Sequence, residues 1–221
     1  MGEAPAGALE LRSPTVMILS HHQKPASGVI GLAFDGTRLW AGDWDASAIL
    51  ELDLDLAIRA SHPAPGRIYG MAFAEDRLCA VIGRADTDDR SIHRFDPALS
   101  AWEKQSLKCP DATGSHLAWD GGHLWLGQRY LKRVLQLHAD GSVKHVVDLP
   151  WEVTGFTWRG ATLWLNVRPQ KGISSLATLA PGAGAPDIVG ALGASLASLA
   201  DDGASFWTAE LRGDSILKIT P

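Results

Sequence analysis

Five times along this 221-residue chain the same ten-residue phrase returns, and that recurrence limits the fold more tightly than any other feature. It reads GLAFDGTRLW at 31–40, GMAFAEDRLC at 70–79, HLAWDGGHLW at 116–125, GFTWRGATLW at 155–164 and SLADDGASFW at 198–207. The third residue of each copy is Ala33, Ala72, Ala118, Thr157 and Ala200, so successive copies lie 39, 46, 39 and 43 residues apart. A repeat of about 40–50 residues is the period of propeller blades.

Each copy carries a short apolar run into a two-residue turn, Asp35-Gly36, Asp120-Gly121, Arg159-Gly160 or Asp202-Gly203. Glycine at such a turn supplies the positive φ that a tight hairpin requires. A second run ends in Trp40, Trp125, Trp164 or Trp207, and alternating stretches follow at 48–55, 91–96, 133–140 and 215–220. Period-two alternation marks half-buried strands. Weaker fourth strands fit 57–61, 102–108 and 142–149. The pattern predicts an all-β, five-bladed β-propeller of four-stranded antiparallel blades, labelled A to D outward from the axis. The fifth unit has no D strand of its own, so the extended segment 13–20 is expected to dock beside 215–220 and complete it. One propeller is expected over 1–221, with 1–8 disordered. Residues 191–200, ALGASLASLA, have helical propensity, but the repeat register assigns strand A of the fifth blade there.

The phrase, an L-A-[FW]-D-G turn paired with L-W, resembles the repeat of the streptogramin-lyase, NHL and gluconolactonase-like propellers. The five-blade count is similar to that of glutamine cyclotransferase-type propellers. The resemblance spans almost the whole chain, and its motifs are structural. The lyase pattern E-H-x-x-x-A-x-W has no counterpart: the nearest histidine, His116, is followed by LAWD. The cyclotransferase Q-G-L opening is replaced by Ile30-Gly31-Leu32, and Asn166 is the one asparagine for an axial metal of the gluconolactonase kind.

The net charge of −5 argues against a general nucleic-acid binder. No basic head precedes an apolar block at the N-terminus, and no apolar run is long enough to cross a membrane. With two cysteines, Cys79 and Cys109, the chain is expected to be cytoplasmic, with neither nucleic acid nor membrane as partner.

In a propeller the A–B and C–D turns share one face, and the B–C and D–A connections share the other. Here the A–B turns are uniform whereas the other connections diverge. Cys79 to Asp96 spans 17 positions where Trp40 to Asp53 spans 13. Divergent loops on a repeated frame carry binding and chemistry, and their divergence excludes a multivalent lectin with one pocket per blade. Gly31, Gly70 and Gly155 open strand A near the axis, while His116 and Ser198 break that pattern, which makes His116 the leading site residue. The D–A loops add His21, His22, Arg67, Tyr69, Asp111, Ser115, Glu152 and Thr154. The B–C loops add Asp43, Trp44, Asp86, Gln128, Arg129, Tyr130, Asn166, Arg168, Glu210 and Arg212.

Two chemistries can be assembled from this set. In acid–base catalysis Glu152 or Glu210 is the base, His116 the acid and Tyr69 a second donor. Arg67, Arg129 and Arg168 clamp a carboxylate, and Trp44, Asp43, Gln128, Tyr130, Asn166 and Ser115 complete the binding set. The other chemistry places a divalent metal on His21, His22, His116 and a carboxylate, although adjacent strand residues point oppositely. The sequence has no G-x-S-x-G elbow, and the Gly-rich 180–187 lacks a phosphate-loop lysine. The expected function is a lyase, cyclase or hydrolase acting on a compact anionic substrate without a cofactor. The alternatives are a non-catalytic propeller binding a ligand or protein, and a metal-dependent hydrolase of the lactonase kind.

Overall fold

The structure is a computed structural model that describes residues 16–84, 87 and 89–221. The described chain opens with β1 (Met17–Gln23). Blade one follows as β2 (Val29–Phe34), β3 (Leu39–Asp43), β4 (Ala48–Leu52) and β5 (Ile58–Pro63). Blade two is β6 (Arg67–Ala74), β7 (Arg77–Gly83), β8 (Ser91–Asp96) and β9 (Ala101–Lys108). Blade three is β10 (His116–Trp119), β11 (Leu124–Gln128), β12 (Arg133–Leu137) and β13 (Val143–Asp148). Blade four is β14 (Glu152–Arg159), β15 (Thr162–Gln170), β16 (Ile173–Leu179) and β17 (Asp187–Ala191), and blade five runs through β18 (Leu196–Asp201), β19 (Phe206–Glu210) and β20 (Ser215–Thr220). The first strands of the blades touch in cyclic order, β2, β6, β10, β14, β18 and back to β2, so they line the axis of a closed ring.

The ring closes as the repeat arithmetic requires. β1 pairs antiparallel with β20, from Met17 opposite Thr220 to Gln23 opposite Ser215, and fills the D position of the fifth blade. The expected closing segment 13–20 is thus shifted toward the C-terminus, and its residues 13–15 lie outside the described residues, as does 1–8. In the 191–200 stretch Ala191 ends β17 and Leu196 begins β18. Cross-strand pairing with β19 overrides the helical propensity of these residues. Among the described residues no helix is long and apolar enough to cross a membrane.

The repeated phrase encodes a latch. In blade one Asp35 Oδ1 accepts the amides of Thr37 (2.8 Å) and Arg38 (2.7 Å), while Oδ2 accepts the indole N–H of Trp40 at 2.9 Å. Asp120 does the same for Gly122, His123 and, at 2.7 Å, Trp125. Asp202 repeats it for Ala204, Ser205 and, at 2.9 Å, Trp207. One carboxylate therefore caps the hairpin and satisfies the donor of a large ring buried against the next blade. Trp40 packs with Ile68, Met71 and Leu78 of blade two, and Trp125 with Phe156 and Leu163 of blade four. Two blades depart from this scheme. Blade two has Ala74 and Cys79 in place of the pair. Blade four has Arg159, which reaches across to Asp201 of blade five, Nε to Oδ2 at 3.0 Å.

Burial alone would raise the carboxyl pKa of Asp35, Asp120 and Asp202, but the indole and amide donors outweigh it and hold all three below the usual range. Their stabilisation is therefore complete above the unfolded carboxyl pKa and is lost as pH falls through the lower folded value. Asp120→Ala is expected to cost roughly 2–4 kcal/mol, since it uncaps a turn and leaves a buried indole donor unpaired. Urea unfolding measures this cost. The variant should also show a shallower loss of stability than the parent as pH falls below about 4.

Candidate active site in the axial funnel

Backbone irregularity builds the site. The pairing of strands A and B shifts register between Val29 and Gly31, Ile68 and Gly70, Val153 and Gly155, and Ala197 and Ala200. A bulge turns an extra side chain out of the pleat. In blade three Ser115 does this work just ahead of β10: its amide and hydroxyl both donate to the Gly127 carbonyl, at 2.8 and 3.0 Å. Ile30, Tyr69 and Thr154, the residues these shifts skip in blades one, two and four, line a single cavity of about 350 Å³ with Ser115 of blade three and Ala197 of blade five. Trp44, Asp45, Arg129, Tyr130 and Leu211 join them from the B–C connections. The site lies on the B–C/D–A face.

His116 lies at the floor of this cavity. At the matching position of the preceding blade stands Gly70, where a Cβ would fall 2.4 Å from the Ser115 carbonyl and 2.7 Å from His116 Cα. The missing side chain lets β6 press against β10. His116 is 6% exposed, and among the described residues neither ring nitrogen has a hydrogen-bond partner. Burial, then Arg129 and Arg90, push its pKa down to about 3. The imidazole is neutral at neutral pH. The expected role of general acid calls for an imidazolium, whereas a neutral ring offers a lone pair.

Cations and aromatic rings alternate along one wall. The Arg67 guanidinium lies 3.9 Å from the Trp44 ring centroid, Trp44 meets Tyr69 edge-on at 6.4 Å, and Arg90 lies 3.8 Å from the Tyr69 ring. The Tyr69 hydroxyl donates to the Arg84 carbonyl at 3.2 Å. Arg90 donates to the Gly114 carbonyl at 2.6 Å, and its Nε is buried without a partner among the described residues. Across the cavity Arg129 is held by Glu152, Nε to Oε2 at 3.0 Å, and Arg168 approaches the same oxygen at 3.5 Å.

The cavity thus collects His116, Tyr69, Arg129, Trp44, Tyr130 and Ser115. Arg67 stands behind Trp44. Glu152 and Arg168 line a separate surface cleft with Lys132 and Trp151, where Glu152 serves to orient Arg129. Glu210 does not line the funnel. Its carboxylate folds over Gly213, and its carbonyl accepts a hydrogen bond from Lys24 at 2.6 Å. Asp43 caps a turn through the amides of Asp45 (3.1 Å) and Ala46 (3.0 Å). The Gln128 amide donates to the carbonyls of Pro110 and Thr113 and accepts from Arg133 at 2.6 Å. Asn166 is fully buried and donates to Thr208 at 3.3 Å.

The metal alternative is corrected by topology. His21 and His22 stand on β1, the outermost strand of blade five, whereas His116 stands on the innermost strand of blade three. Among the described residues no three histidine, cysteine or carboxylate side chains converge. Burial pushes the Cys109 thiol up to about 12, so it is no thiolate. Asp86 lies outside the described residues. Sequence reasoning missed Arg90, although the signal was there: it sits in the one long B–C connection, next to β8.

No family model matches the chain, and no curated protein matches it. Solved structures do. Glutaminyl cyclase of Myxococcus xanthus superposes with a TM-score of 0.73 at 14% identity, over 93% of this chain and 96% of that one. The PQQ-bound aldose sugar dehydrogenase of Streptomyces coelicolor gives 0.60 at 18% identity, over 92% and 80%. Virginiamycin B lyase of Staphylococcus aureus, solved with quinupristin, gives 0.55 at 16% identity, over 90% and 68%. At these identities the likeness is one of fold: the chain is a five-bladed β-propeller similar in architecture to propellers that include enzymes.

Proposed function

We propose that the funnel is the active site of a small-molecule enzyme, a lyase or cyclase that begins by removing a proton from a compact anionic substrate. The observation that carries this reading is a buried histidine, without a hydrogen-bond partner among the described residues, in a cavity that Arg90 and Arg129 also line. Paired planar donors suit a carboxylate. An anion seated between the two guanidinium groups would cancel their repulsion of a proton on His116, so substrate binding itself makes the imidazole a better base. Tyr69 lines the same cavity with its hydroxyl proton engaged by the Arg84 carbonyl, and Glu152 keeps Arg129 aimed inward. The fold likeness to a glutaminyl cyclase and a virginiamycin B lyase supports the same reading. A second reading, a propeller that binds without turnover, draws on the rim aromatics Trp44 and Tyr130, the latter 72% exposed.

Two measurements test the proposal. In the free protein the His116 imidazole, followed by NMR, should stay neutral until pH falls to about 3, and its pKa should rise when a small carboxylate is bound. The unfolded chain takes up this proton near pH 6.5. His116 therefore subtracts stability as pH falls from there toward the folded value, and His116→Ala should flatten that slope.

The other test is a panel of small carboxylic acids read by calorimetry and by product formation. Arg90→Gln and Arg129→Gln should each weaken binding by roughly tenfold. His116→Ala should keep binding and lose about a hundredfold or more in turnover. Unchanged turnover in His116→Ala would remove the histidine from the chemistry, and binding without turnover in the parent would favour the second reading.

A further inference from the structure

Four of the five blades send a tryptophan into the space shared with the next blade, and blade two sends Cys79. Between blades one and two, Trp40 is enclosed by Phe73 at 5.8 Å, Phe95 at 6.0 Å and His62 at 6.1 Å between ring centroids. The corresponding walls between blades two and three are intact. Trp119 stands where Phe73 does, just before the A–B turn. Leu137 follows the partner of Trp125 as Phe95 follows the partner of Cys79. Leu107 pairs with Ile92 as His62 pairs with Ile49. All three line a cavity of about 290 Å³ that opens on the face opposite the funnel, among the A–B and C–D turns. With the tryptophan the blade has also lost its aspartate, since Ala74 stands at the position of Asp35.

The rim of this slot carries charge. Arg94 pairs in register with Cys79, the position at which Lys218 of blade five lies 4.7 Å from the Trp207 ring centroid. A cation on this site is thus already built to lie over a ring. Among the described residues Arg94 has no carboxylate within ion-pair distance, whereas Arg77 is balanced by Asp76 at 2.6 Å and Asp96 at 3.0 Å. Lys144 lies 2.7 Å from His123 beside the slot, and among the described residues Glu75 is the one carboxylate lining it.

We propose that the slot between blades two and three is a second binding site, for a planar bicyclic aromatic acid of the indole type. Its ring takes the place of the absent tryptophan, against Trp119, Leu107 and Leu137, and its carboxylate pairs with Arg94. Apolar ring burial supplies the affinity and the guanidinium selects the acid over the neutral ring.

The probes are indolepropionic acid and neutral indole, titrated by calorimetry into the parent, Arg94→Gln and the double variant Ala74→Asp with Cys79→Trp. The double variant restores the latch and fills the slot with the protein's own ring. The parent is expected to bind both probes. Arg94→Gln should weaken the acid roughly fivefold and neutral indole distinctly less, since indole loses only the cation over its ring. The filled variant should bind neither, with a raised Tm. If that variant fails to fold, the Arg94→Gln comparison decides alone, with an unchanged Tm as the check that replacing the exposed Arg94 leaves the fold intact. Equal binding of the acid to parent and Arg94→Gln, equal binding to a folded filled variant, or no binding to the parent would each overturn the site. Acid binding lost in Arg129→Gln but kept in Arg94→Gln would place it in the funnel instead, so failure here is separable from failure of the proposed enzyme site.

Discussion

The bond between a turn aspartate and the indole five residues later is the constraint on which this ring depends. Each blade is a small sheet with little core of its own, and its stability comes from filling the wedge between it and the next blade. A tryptophan fills that wedge with one side chain, at the cost of burying a donor. The aspartate meets that donor and the two amides of its own hairpin at once, so turn geometry and inter-blade packing become one event. Where the pair is dropped, something else changes. Blade four keeps the tryptophan, Trp164, but has Arg159 at the aspartate position, reaching to Asp201 of the neighbouring blade. Blade two replaces it with two small residues and an open slot.

The axis imposes a different condition. Five strands crowd together there, and a residue with a side chain on one strand must meet a glycine on its neighbour. Gly70 faces His116, and Gly155 faces Ser198, whose backbone would lie 2.2 Å from an added Cβ. The functional candidate and the close approach are thus two sides of one packing solution. The bulges beside these contacts turn Ile30, Tyr69 and Thr154 into the funnel, where Ser115 and Ala197 of the other two blades join them. Side chains that the repeat leaves equivalent in position, from isoleucine to tyrosine, become chemically distinct walls of one cavity.

Period and turn chemistry were enough to read the blade count, the strand order and the closure, because these follow from spacing and alternation. The face that holds the funnel was legible in the same way, through the lengths of its connections, and His116 stood out through its break with the glycines. What could not be read was which polar side chains are already spoken for. Asp43 and Gln128 look available in sequence, but one caps a turn and the other ties down residues 110–113. Glu152 proves to be the support of an arginine, and Glu210 turns away beside the ring closure. Arg90 was overlooked because nothing local shows that it would lie over Tyr69, 21 residues earlier.

The latch between β1 and β20 joins residues about 200 positions apart in the chain. Contacts this distant carry the largest loop-closure entropy and form late. During synthesis the first four blades can stack in turn, yet β1 has no partner until residue 220 has been made. Since every blade supplies wall residues, the funnel is complete only when the fifth blade meets the first. The cavity is therefore a property of the closed circle, and no single blade encloses it however well it has folded.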